Sequence, residues 1–103
     1  MELVRILPQL LIQKPMKTFN DLEFRENNNH INSGIFSNMM FENGYGVSVI
    51  RTRMSYGNKE GLFELAVLDS TGDITYETPI TKDVLGWLSE EDVSRVMKEV
   101  QSL

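Results

Sequence analysis

The feature that most restricts what this chain can fold into is the run Phe36–Arg51, Phe-Ser-Asn-Met-Met-Phe-Glu-Asn-Gly-Tyr-Gly-Val-Ser-Val-Ile-Arg. An Asn-Gly pair between two strand-forming runs is the strongest short-range hairpin signal, because a tight turn needs residues that tolerate positive φ. A two-residue turn at Asn43-Gly44 sets Glu42 opposite Tyr45, and the register follows. Met40 then opposes Val47, Asn38 opposes Val49 and Phe36 opposes Arg51 on one side. On the other, Phe41 opposes Gly46, Met39 opposes Ser48, Ser37 opposes Ile50 and Ile35 opposes Thr52. Gly46 on this reading leaves room for the Phe41 ring. Both faces carry apolar groups, which predicts a sheet covered fully on one side and in part on the other.

The rest of the chain extends this hairpin. Leu22 and Phe24 alternate with Glu23 and Arg25, predicting a short strand over Leu22–Glu26, and the polar run that follows is a loop. Met54–Gly61 is a second connection, longer than a tight turn requires. Leu62–Asp69 is the most apolar strand and is expected at the centre, with Leu62, Ala66 and Leu68 on the face of Glu64 and Phe63, Leu65 and Val67 on the other. Asp69-Ser-Thr-Gly-Asp73 reads as a hairpin loop leading to a strand over Ile74–Thr78, which Pro79 ends. Thr81 is expected to cap a helical turn over Lys82–Leu88, with Trp87 in the core. Ser89 caps a better helix: three acids fill its first turn, and Val93, Val96, Met97, Val100 and Leu103 form one apolar stripe. The fold class expected is α+β, a small antiparallel β-meander of three to five strands with a C-terminal α-helix packed on one face.

With 103 residues there is room for one hydrophobic core. Pro8 and Pro15 break the first segment into short pieces, Leu3–Leu7 and Gln9–Gln13. Residues 1–15 are therefore read as an N-terminal extension and 16–103 as a single α+β domain. The apolar run at residues 3–12 is far shorter than the roughly 20 residues that span a bilayer, so no membrane association is expected. The chain has no cysteine, which excludes disulfides, thiolate metal sites and cysteine nucleophiles. Its net charge of −5 is concentrated at the C-terminal end, where residues 73–103 hold seven acids and three bases. An acidic surface of this kind disfavours nucleic-acid phosphates.

The chemistry-bearing residues are sparse. No nucleophile–base pair is visible, and His30 lies alone in a polar loop. Asp69 and Asp73 flank a loop but lack the regular oxygen spacing of a calcium site. Gly44-Tyr45-Gly46 has neither the third glycine nor the lysine of a phosphate loop. Arg51 and Arg53 near tyrosines would suit a single strand, but pairing with Glu64 or Glu77 accounts for them more simply. No catalytic residue, metal or cofactor is expected. The residues expected to meet a partner are those of the exposed loop, Tyr56, Lys59 and Glu60, and of the acidic helix face, Glu90, Glu91, Asp92 and Glu99.

From Met16 to Leu103 the chain resembles a family of small acidic uncharacterised proteins encoded by bacteriophages and prophages. The resemblance rests on Met16–Phe24, Phe41–Ile50, Phe63–Val67 and Thr75–Leu88. It implies a host-cytoplasmic setting and a non-enzymatic accessory protein that binds a host or phage protein, with inhibition of a host defence or regulatory complex as one role. A self-associating structural protein, pairing between copies as a homo-oligomer, is the alternative expectation. Nucleic-acid binding is less favoured.

Overall fold

In the computed structural model, which describes residues 15–103, the α+β class expected from the sequence is what the chain adopts. Five antiparallel strands run in the order β1 (Arg25–Asn27), β2 (Gly34–Met40), β3 (Gly46–Thr52), β4 (Phe63–Leu68) and β5 (Leu85–Leu88). Among the described residues one α-helix, α1 (Glu90–Gln101), packs on the sheet. The expected pieces Leu3–Leu7 and Gln9–Gln13 lie outside the described residues.

The core follows from alternation. Val47 and Val49 of β3, and Phe63, Leu65 and Val67 of β4, point to one face, where Val93, Val96, Met97 and Val100 of α1 meet them. Each buried aliphatic side chain stabilises the fold by about 1.5–3 kcal/mol relative to exposure. Ala66 and Leu68 share the other face with Glu64, as their spacing predicts. The α1 stripe is that expected, except that the helix ends before Leu103, which is 37% exposed.

The hairpin forms in a different register. Met40 opposes Gly46, Met39 opposes Val47, Ser37 opposes Val49 and Phe36 opposes Ile50. Phe41 N–H donates to the Tyr45 carbonyl at 2.7 Å and Gly44 N–H to the Phe41 carbonyl at 3.1 Å, so three residues turn the chain instead of two. Only Gly44 has positive φ, +91°. A type I turn closed by one left-handed glycine reverses the chain without requiring Asn43 to be left-handed. The extra loop residue shifts every pair by one, and with it the role of Gly46. A Cβ there would meet the Met39 carbonyl and Met40 Sδ, both at 2.5 Å, so Gly46 accommodates β2 itself rather than the Phe41 ring. The Asp69–Asp73 loop repeats the design: Asp69 N–H donates to the Asp73 carbonyl at 2.8 Å, and Gly72 has φ +85°.

Three further expectations change. The first strand starts later, at Arg25, because Phe19–Asp21 form a 3-10 turn and Leu22 goes into the core. The strand expected over Ile74–Thr78 is reduced to a bridge between Ile74 and Leu68, with Thr75 N–H on the Val67 carbonyl. The helical turn expected over Lys82–Leu88 is strand β5. Ile74 and Thr75 occupy one end of the outer edge of β4, and Leu85 and Leu88 occupy the other, opposite Leu65 and Phe63. Thr81 does turn the chain, accepting Asp83 N–H at 3.0 Å, but a sheet edge with an apolar neighbour wins over a turn of helix interrupted by Gly86.

Candidate protein-binding site at Tyr56 and Trp87

Between its two pairs with β4, strand β5 carries one residue too many. Leu88 pairs with Phe63 and Leu85 with Leu65, so Gly86 and Trp87 together oppose Glu64. Such a bulge re-aims side chains. Leu85 and Leu88 turn to the core and Trp87 is expelled from it, 58% exposed, at φ +59°. This corrects the expectation that Trp87 is a core residue. A bulky side chain in the left-handed region is a rare conformation that costs on the order of 1–2 kcal/mol.

The β3–β4 loop holds this strained residue. Its backbone is reversed twice, by Gly57 at φ +86° and Gly61 at φ +75° on either side of a 3-10 turn over Asn58–Glu60. Ser55 is buried, with its Oγ accepting Thr52 N–H and donating to the Thr52 carbonyl, each at 2.9 Å. Tyr56 N–H donates to Glu64 Oε1 at 3.2 Å and the Tyr56 carbonyl accepts Trp87 N–H at 3.4 Å. Two aromatic–glycine pairs then interlock. A Cβ on Gly86 would lie 2.7 Å from Tyr56 Cβ, and one on Gly57 would lie 3.0 Å from Trp87 Cα and 3.3 Å from its indole Cε3. Tyr56 therefore sits over Gly86 while the Trp87 indole sits over Gly57. Neither ring stacks on another ring: the ring pairs among the described residues join Phe19, Phe24 and Phe63. The surface presents Tyr56 and Trp87, at 61 and 58% exposure, while Met54 of the same loop, 68% exposed, is tied to Asn32 of the β1–β2 loop.

The seven expected partner-binding residues fall on two elements. Tyr56, Lys59 and Glu60 are exposed on this loop. Glu90, Glu91 and Asp92 form the first turn of α1, directly after β5, and Glu99 lies on its exposed side further along. Asp92 has a structural task. It closes a capping box with Ser89, at 3.0 and 3.1 Å, and accepts from Arg95 at 2.8 Å. The Arg95 guanidinium and the Ser89 donors hold its carboxyl below the ordinary 3.8, at about 2. Glu90 and Glu91 have no ion-pair partner among the described residues. Trp87 was missing from the expected set. The signal in the sequence was Gly86-Trp87, a glycine that permits a bulge next to the largest side chain.

The other candidates resolve into structure. Arg51 does not pair with Glu64; its guanidinium lies 4.9 Å above the Phe63 ring and donates to the Gly61 carbonyl at 3.4 Å. Arg53 donates to the His30 carbonyl at 2.7 Å. Asp69 spends Oδ1 on the Thr71 hydroxyl and the Thr71 and Asp73 amides, which lower its pKa. No group of three metal-ligating side chains occurs among the described residues, and no helix there is long and apolar enough to cross a membrane. A groove of about 690 Å³ lies between the β2–β3 tip and the end of α1, lined by Met16, Met40, Phe41 and Gln101 among others. Among the described residues its charged lining residues are Lys17 and Glu42, and it holds no histidine. Comparison with known proteins found no matching family model, no matching curated protein and no matching solved structure.

Proposed function

We propose that this chain is a non-enzymatic accessory protein that acts by binding another protein through the Tyr56–Trp87 surface. The observation that carries the reading is Trp87, exposed yet seated against Gly57 in a strained backbone. Strained backbone persists only where its surroundings over-determine it, and such positions cluster at functional sites. Trp and Tyr are also the side chains most enriched among residues that dominate interface energies. A tryptophan that needs no ordering on binding loses less entropy than a mobile one. The resemblance of residues 16–103 to phage-encoded chains makes the partner a host or phage protein in the host cytoplasm, with inhibition of a host defence or regulatory complex as the expected consequence.

The test is affinity capture from infected host cells with tagged wild type and Trp87→Ala, with the retained protein identified by mass spectrometry and its Kd measured. A stoichiometric partner should be retained by wild type and weakened about 30-fold or more by Trp87→Ala, as for a 2 kcal/mol anchor. Equal binding by a folded Trp87→Ala, or no stoichiometric partner at all, refutes the reading.

A further inference from the structure

We propose that the Tyr56–Trp87 surface is a receptor for an arginine side chain on a basic segment of the partner protein. The inference rests on the binding reading above and adds the chemistry of what is bound. The first argument is the state of the rings. Tyr56 and Trp87 are 61 and 58% exposed, each rests against the other's neighbouring glycine, and neither stacks on a third ring among the described residues, so both rings offer surface to solvent. The second is charge. The two segments that build the surface, residues 53–64 and 82–92, contain six carboxylates, Glu60, Glu64, Asp83, Glu90, Glu91 and Asp92, against Arg53, Lys59 and Lys82, and Arg51 reaches the loop at the Gly61 carbonyl. Of the six, Asp92 alone is in an ion pair among the described residues. Exposed ring faces on a surface built from predominantly acidic segments attract a cation and repel an acidic segment. A planar guanidinium suits such a site better than an ammonium, because it stacks on a ring face while its N–H groups reach carboxylates.

Trp87 is the chain's single tryptophan, so its fluorescence reports on this site without a label. The probes are hexa-arginine, hexa-lysine and hexa-glutamine peptides, titrated into the full chain at low salt and at 0.3 M salt, a concentration at which the Debye length is only about 6 Å. Hexa-arginine should change Trp87 emission saturably, bind several-fold more tightly than hexa-lysine and persist in part at high salt, while hexa-glutamine has no effect. Tyr56→Phe, which keeps a ring face, should bind hexa-arginine more tightly than Tyr56→Leu. Tyr56→Leu, which keeps an apolar cover on Gly86 but no ring face, should bind hexa-arginine about five-fold more weakly, the fold-change of one cation–π contact. Glu90→Gln with Glu91→Gln should weaken binding and flatten its salt dependence.

Equal response to arginine and lysine, with Tyr56→Leu unchanged, overturns the inference by reducing it to attraction by an acidic surface. The absence of any saturable response overturns it as well. A partner whose capture depends on Trp87 but whose contact surface carries no arginine also overturns the cation assignment, and leaves the binding reading standing. Arginine-selective binding without a captured partner has the reverse meaning.

Discussion

Trp87 shows how one residue can be costly to the fold and still be kept. At an ordinary strand position alanine is more favourable than glycine by roughly 0.5–1 kcal/mol. At φ +59° the order should invert, because any Cβ meets the backbone there. Trp87→Gly is therefore expected to be more stable than Trp87→Ala by about 0.5–1 kcal/mol in chemical denaturation, although both lose the indole. Thr52 is a second such residue. Its Oγ1 is buried without a hydrogen-bond partner among the described residues, a condition that costs about 1–3 kcal/mol. Thr52→Val keeps the shape and removes the orphan hydroxyl, so the melting temperature should rise. Asp92 makes stability depend on acid. Its folded-state pKa is depressed, so its contribution is complete above the unfolded value near 3.8 and is lost as pH falls toward about 2. Denaturant midpoints should drop across that window in wild type, and Asp92→Asn should lower the neutral-pH midpoint and flatten the drop.

Among the elements, the two hairpin loops show how much a single residue decides. Asn43 accepts Tyr45 N–H at 3.1 Å and donates through Nδ2 to the Val100 carbonyl at 2.9 Å, so the β2–β3 tip satisfies a C-terminal carbonyl of α1. That second contact was not visible in the Asn-Gly signal, which is explained equally well by a two-residue turn. The three-residue loop sets Met39 and Ser37 opposite Val47 and Val49, which α1 buries completely. A one-residue slip would turn the β2 side chains to the opposite faces. The helix was readable for the opposite reason. Its cap, acidic first turn and apolar stripe are local, and all agree. Strand β5 was not readable, since Val84–Leu88 is apolar enough for either state and only the free edge of β4 chooses between them. The bulge within it makes a sharp prediction. Gly86→Ala forces a Cβ to within 2.7 Å of Tyr56 Cβ, so the loop must lift; amide exchange at Tyr56 and Trp87 should speed up while α1 stays protected.

For the molecule as a whole, closure comes from side chains that bind distant backbone. Gln101 accepts Lys17 N–H at 2.7 Å and donates to the Lys17 and Met97 carbonyls, both at 2.9 Å; Ser94 Oγ accepts Phe19 N–H at 2.9 Å. The chain from Lys17 is thereby sewn to α1, and Phe19 reaches Phe24 and Phe63, with ring centroids 5.6 and 5.1 Å away. Gln101→Ala should cost about 0.5–1.5 kcal/mol, with faster exchange at Lys17 as the diagnostic of where the loss occurs. Local chemistry was enough to specify the α+β class, the polarity of β4, the capped helix and the need for glycine at positions 44 and 72, because each depends on neighbours a few residues away. The hairpin register, the fifth strand and the position of Trp87 were decided by the folded molecule. Each depends on competition for one apolar sheet face and one strand edge, and that competition exists only after the chain has brought residues 56, 64 and 87 together.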